Sequence, residues 1–176
     1  MPTATGLQAT TTPEQLRRIY GCFPSGVAAL CALGPHGDPV GMAVSSFVPV
    51  SLDPPLVSVC PQRTSTTWPL LGAAPRIGVS VLGAGQLGAA RSLAARTGDR
   101  FAGSTVTTTP GGAVLLDDAV AWLECEVEVE HDAGDHTVVL LRALALTGDP
   151  LGAPLLFHGG RLRGLLADPA EPSDAA

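Results

Sequence analysis

The chain has 176 residues, 45% of them apolar and 15% charged, with a formal net charge of −6. That length buries one sizeable core, that composition is too apolar for a disordered chain, and the acidic balance argues against a nucleic-acid partner. No apolar run reaches membrane-spanning length and no secretory leader is evident, so a soluble cytoplasmic protein without a membrane partner is expected.

Residues 1–11, rich in Thr and Ala, read as a flexible lead-in. Thr12-Pro13-Glu14-Gln15 is a helix start. Thr12 can cap, Pro13 suits the first helical position and Gln15 completes a capping box. The helix is expected to reach about Tyr20. Residues 27–33 and 40–47 read as two strands of a hairpin around Pro35-His36-Gly37-Asp38. Residues 56–60 form a short apolar strand, 64–71 a short helix ended near Gly72, 77–82 a strand and 86–95 a helix. Residues 99–118 read as a long loop. In 120–130, Val127 and Val129 alternate with Glu126, Glu128 and Glu130, the period of a half-exposed strand. It turns at Ala133-Gly134-Asp135 and returns over 137–146. Residues 155–157 add one more strand, and 167–176 read as a disordered polar tail. The fold class is mainly β with short helices: one domain over 12–166, with six to seven antiparallel strands in a small barrel.

Three features carry chemistry or imitate it. Gly83-Ala84-Gly85-Gln86-Leu87-Gly88 matches the G-x-G-x-x-G fingerprint after a strand and before a helix. A dinucleotide site also needs a second parallel strand with an acidic residue roughly 20 residues on. Here the chain runs instead into a loop with Ser and Thr, so that reading is set aside. Residues 41–57 place the double serine Ser45-Ser46 and the Asp53-Pro54-Pro55 corner between two β-prone runs. Hydroxyls and free backbone groups beside an apolar slot suit a planar cofactor with a polar edge. Thr64-Ser65-Thr66-Thr67 then sits at an apparent helix start, where hydroxyls and free N–H groups suit a phosphate; a plain N-cap is the alternative. Cys22, Cys31, Cys60 and Cys125 have no metal-ligand spacing, and Cys31, Cys60 and Cys125 lie in apolar runs where Cys is a small hydrophobe. No metal site is expected.

These segments resemble the flavin reductase-like family, whose fold is the FMN-binding split barrel and whose members serve as reductase components of two-component flavin monooxygenases. The resemblance runs in family order through Phe23-Pro24-Ser25-Gly26-Val27, residues 41–57, Arg63-Thr64-Ser65-Thr66-Thr67-Trp68, Val79-Ser80-Val81-Leu82, Asp99-Arg100-Phe101, Ala121-Trp122-Leu123-Glu124-Cys125, Gly134-Asp135-His136 and Pro154-Leu155-Leu156-Phe157. It implies an NAD(P)H-dependent flavin reductase that moves hydride from NADH or NADPH to FMN or FAD and hands reduced flavin to a partner monooxygenase. It also implies a homodimer, which would use the low charge content of the surface. The implied flavin-binding positions are Met42, Ala43, Val44, Ser45, Ser46 and Phe47, with Cys60, Ser65, Thr66, Thr67, Ser80, Arg100, Phe101 and Phe157. His136 is the implied catalytic position, over the nicotinamide side, with Asp135 able to fix its tautomer. For Arg100 an ion pair with Asp99 or another carboxylate stays open. Ala43, Ser80 and Phe157 replace the Thr, Asn and Tyr common in relatives. A non-enzymatic flavin- or haem-binding split barrel, and a reductase that keeps FMN as a prosthetic group, remain alternatives.

Overall fold

The computed structural model describes Ala9 and residues 12–165. The lead-in expected over 1–11, Ala9 aside, and the tail expected over 167–176 lie outside the described residues. The first element is α1 (Pro13–Tyr20), where the Thr12 hydroxyl accepts the Gln15 N–H at 3.2 Å, as the capping pattern predicts. Then come β1 (Ser25–Gly26), β2 (Ala28–Leu33), β3 (Pro39–Val44), β4 (Val48–Leu52), β5 (Pro55–Val59), α2 (Trp68–Gly72), β6 (Ile77–Val81) and α3 (Leu87–Ala94). The remainder is β: β7 (Val106–Thr108), β8 (Val114–Leu116), β9 (Ala121–Ala133), β10 (His136–Gly148), β11 (Leu155–His158) and β12 (Arg161–Gly164).

Seven strands form the main sheet in the order β3-β2-β6-β9-β10-β5-β4, every neighbour antiparallel. The sheet does not close, since β3 and β4 remain as its edges. It wraps one core to which β2, β3, β5, β6, β9 and β10 all contribute, with Trp68 and Leu71 of α2 plugging it. A second core lies on the other face of β2, under α3, β8 and the small sheet β1-β11-β12. Ala28, Leu30 and Ala32 point to the first core, and Ala29 and Cys31 to the second. Burial on both faces is why β2 reads as an unbroken apolar run rather than an alternation.

Sequence and structure part in four places. Residues 99–118 are not a loop throughout, because β7 and β8 form a hairpin laid across β6. Gly78 leaves room for the Val114 carbonyl, and the Ser80 hydroxyl accepts the Leu116 N–H at 3.0 Å. β1, β4 and β12 were not expected; β1 pairs with β11, and β4 pairs with β5 across the Asp53-Pro54 corner, whose peptide is cis. Helix α2 begins only at Trp68, so the hydroxyl cluster precedes it instead of opening it. The strand expected to run to Phe47 stops at Val44. The G-x-G-x-x-G segment does join β6 to α3, but β6 is antiparallel to both of its neighbours, so no βαβ unit exists there.

Candidate functional site

A cleft of about 840 Å³ opens beside the free edge of β3. Met42, Ala43, Val44, Ser45 and Ser46 form one wall. Cys60 and the hydroxyl segment form the second, and the end of α3 with Arg100 the third. His136 reaches in from the β9–β10 turn.

The β3 wall follows from strand geometry. The Gly41 carbonyl accepts from Arg100 Nη1 at 3.0 Å, so it points away from β2. Alternate residues of an antiparallel strand turn N–H and C=O the same way, which directs the Ala43 amide outward as well. An edge strand therefore offers a donor–acceptor pair that no other strand uses. Gly41 is itself a packing requirement, because a Cβ there would meet the Cys31 sulfur at 2.7 Å and the Phe101 ring at 2.9 Å. Ser45 is exposed. Ser46 is tied down, its hydroxyl accepting the Cys60 N–H at 2.8 Å, which staples the end of β3 to the end of β5.

The hydroxyl wall is built by mutual orientation. Ser65 Oγ accepts from Thr67 N and Trp68 N at 3.3 and 3.0 Å, so Ser65, not the formal N-cap Thr67, caps α2. Thr67 Oγ1 accepts from Arg100 Nη1 at 2.5 Å. A hydroxyl that accepts still has one O–H to donate. Ser65 and Thr67 are thus left as aimed donors, and a phosphate is acceptor-only. Arg100 forms no carboxylate ion pair among the described residues, so the salt-bridge alternative is not what the structure holds. Its second Nη and its Nε carry donors that no described group takes up.

His136 is placed by the hairpin tip. Thr137 N donates to Pro61 O and Arg63 N to Asp135 O, both at 3.0 Å, so the tip is sewn to the segment after β5. Gly134, at φ +66°, makes the turn that sharp. Asp135 Oδ1 lies 2.7 Å from His136 Nδ1, and that hydrogen bond holds the Asp135 carboxyl below the usual aspartate range. The contact fixes Nδ1 as the ring nitrogen facing the carboxylate and leaves Nε2 for other partners.

Four predicted positions lie outside this cleft. Ser80 is fully buried in β6 and bonded to Leu116. Phe47 packs against the core inside the main sheet and Phe157 against the other core. Phe101 lines a neighbouring cavity. Cys60 does line the cleft, with its thiol raised by partial burial, and so contributes a neutral, soft wall. Burial pushes Cys31 and Cys125 to about 12, with Glu124 adding to the effect at Cys125, so neither serves as a nucleophile. Sequence reasoning missed Gln62 and Arg96. Gln62 bridges to His136. Arg96 follows α3 with no pattern to mark it beyond a cation at a helix C-terminus.

The cleft fits a flavin phosphate ester. A polar backbone edge, a set of aimed hydroxyls and two guanidinium groups line one continuous space. Comparison with known proteins decides the family: residues 20–166 match the flavin reductase like domain. The chain belongs to the flavin reductase-like family. It is 35% identical to a flavin reductase of Pseudomonas putida, over 92% of this chain and 95% of that one. It is 35% identical to the reductase subunit of a flavin-dependent monooxygenase of Rhodococcus jostii, over 92% and 82%. The structure of a Streptomyces globisporus NADH:FAD oxidoreductase with NAD and FAD fragments superposes with a TM-score of 0.83 at 38% identity, covering 93% of this chain and all of that one.

Proposed function

We propose that the chain is an NAD(P)H:flavin oxidoreductase whose product, reduced FMN or FAD, goes to a partner monooxygenase. The observation that carries this is the convergence of the β3 edge, the Ser65–Thr67 hydroxyls with Arg100, and His136 on one cleft. In this reading the outer edge of β3, from Met42 to Ser45, holds the polar rim of the flavin ring. Ser65, Thr66, Thr67 and Arg100 hold its phosphate. His136, steadied by Asp135, faces the side where nicotinamide arrives. When bound, the flavin accepts hydride from the reduced nicotinamide; that chemistry belongs to the cofactors. The chain's contribution is to stack the two rings, shield one ring face, and set N–H donors near the pyrimidine edge, where negative charge grows.

The unit that does this is residues 12–166, acting as a homodimer. The monooxygenase partner is supported by relatives that are reductase subunits of flavin-dependent monooxygenases. A cytoplasmic setting is supported by the free cysteines among the described residues and by the need for a pyridine nucleotide pool.

The test is NADH or NADPH oxidation, followed at the nicotinamide absorbance band with purified protein and added FMN or FAD. Turnover should scale with free flavin. Turnover without added flavin would instead give a prosthetic-flavin enzyme. No nucleotide loss with either flavin would leave a binding protein.

A further inference from the structure

Helix α1 stands apart by what it leaves uncovered. None of its side chains is buried, although its sequence is amphipathic. Leu16, Ile19, Tyr20 and Phe23 follow the i, i+3, i+4, i+7 spacing of one helix face. Turn bonds from Cys22 N to Ile19 O and from Phe23 N to Tyr20 O, both 3.0 Å, carry that face past the helix end. Leu16 is half-buried, while Ile19, Tyr20 and Phe23 are exposed, Phe23 at 78%. Apolar groups at that spacing are the anchors by which a helix lies in another protein's groove.

The patch is also cationic, on a chain whose net charge is −6. Gly159 N donates to Gly21 O at 2.8 Å, so the turn between β11 and β12 abuts the end of α1. Leu162 of β12 packs into the core, which leaves Arg161 and Arg163 exposed on the opposite face. With Arg17 and Arg18 of α1 they make four of the chain's ten basic residues. None of the four forms a salt bridge among the described residues, where Arg63, Arg76 and Arg142 do. The two elements carry a single carboxylate, Glu14. Arg17 lies within electrostatic reach of Asp135, beside His136, so the patch borders the mouth of the flavin cleft.

We infer that α1 and the outer face of β12 form the docking surface for the oxygenase that takes the reduced flavin, a partner whose contact face is an apolar groove rimmed with carboxylates. The inference rests on the reductase reading of the cleft. A second copy of this chain is the poorer occupant, because a two-fold contact across the patch sets its arginines against one another. An anionic lipid surface would accept the same charges, but it gains nothing from lying beside the cleft mouth. An oxygenase seated there receives the flavin over a short path, before it meets oxygen in bulk water.

The test pairs the chain with the oxygenase of its own organism that forms product when this reductase, with NADH or NADPH, is its only source of reduced flavin. Calorimetry measures the affinity of that oxygenase for wild type, Phe23→Ser, Arg161→Glu/Arg163→Glu and Arg161→Lys/Arg163→Lys. Wild-type affinity should fall at least tenfold from low to high salt, as charged contacts are screened. Phe23→Ser and the double Glu variant should each bind at least tenfold more weakly than wild type, and the double Lys variant within threefold of it. All three should keep wild-type nucleotide oxidation with free flavin, which shows that they fold and that the cleft is intact. A double Glu variant that binds as wild type does, or product formed by wild type with no measurable complex, overturns the inference. So does loss of a dimer in sedimentation of Phe23→Ser, which gives the patch to a second copy. Co-sedimentation of wild type, but not of the double Glu variant, with phosphatidylserine vesicles gives it to a membrane and overturns the inference as well. If the nucleotide is oxidised yet no oxygenase draws flavin from the chain, the monooxygenase partner is withdrawn and this surface with it. If the nucleotide is oxidised with neither flavin, the reductase reading itself fails, a result distinct from all of these.

Discussion

Ser45 and Ser46 are neighbours in sequence but have different work. Ser46 holds the Cys60 amide, whereas Ser45 is exposed at the cleft. Ser46→Ala leaves a partly buried N–H without its acceptor, at a cost of about 1–3 kcal/mol. A lowered midpoint in chemical denaturation should report it, while Ser45→Ala should unfold with wild type and show only weaker flavin binding. Ser80 is the reverse surprise. The family resemblance implies a cofactor contact there, yet its hydroxyl serves Leu116 in the core. Ser80→Ala should therefore lose about 1–3 kcal/mol of stability with flavin affinity unchanged; weaker flavin binding at full stability would contradict that placement. The sequence shows that a residue can hydrogen-bond, but the partner is set by which strand face it occupies. Asp135 shares the acid side of the pH dependence with Glu14 and Glu128, whose carboxyls are also held low. The folded pKa of Asp135 is depressed, so its contribution to stability is present above the ordinary aspartate pKa and fades as pH falls through the lower folded value. Carboxyl NMR titration should find Asp135 below the usual range in wild type and back within it in His136→Phe, because the hydrogen bond from His136 is the largest cause of the shift.

At the scale of elements, strong periodicity was legible and packing-made structure was not. The β9–β10 hairpin announces itself through the Val127–Val129 and Glu126–Glu128–Glu130 alternation, and Arg142 clamps Glu128 across it at 2.7 and 2.8 Å. The β7–β8 hairpin does not, because a Thr run and two glycines carry no apolar period; it exists since β6 offers it a flat seat. Gly78 is that seat. Any Cβ there overlaps the Val114 backbone carbonyl, which cannot swing aside. Gly78→Ala should cost on the order of 3 kcal/mol or more, by the penalty for overpacking against main chain. At Gly41 the obstacles are side chains of Cys31, Phe101 and Leu93, which can shift by tenths of an ångström. Gly41→Ala should cost less than Gly78→Ala in the same denaturant titration. It should still weaken flavin binding measurably, since Arg100 hangs on the Gly41 carbonyl and Phe101 adjoins it. The G-x-G-x-x-G segment could be set aside from sequence alone because a motif needs its unit, and antiparallel pairing on both sides of β6 is the physical form of that missing unit.

For the whole molecule, the open question raised by an apolar chain with few charges is what covers its surface. β4 is an edge strand with Val48, Val50 and Leu52 exposed at 53%, 52% and 96%, and Leu144 and Leu146 of β10 are exposed as well. Exposed apolar edges invite pairing with other chains unless something covers them. A second copy of the chain is the occupant that the proposed homodimer supplies. In a two-fold interface each substitution is felt twice, so a single charge goes far. Val50→Glu places a carboxylate on each side of the proposed contact, and sedimentation equilibrium should then show monomer where wild type shows dimer. The thermal midpoint should rise with protein concentration in wild type and not in the variant, by mass action on subunit association. A wild-type chain that sediments as monomer at tens of micromolar, or a Val50→Glu chain that stays dimeric, would move the interface away from β4; the exposed Ile19, Tyr20 and Phe23 around the end of α1 would then be the next surface to charge.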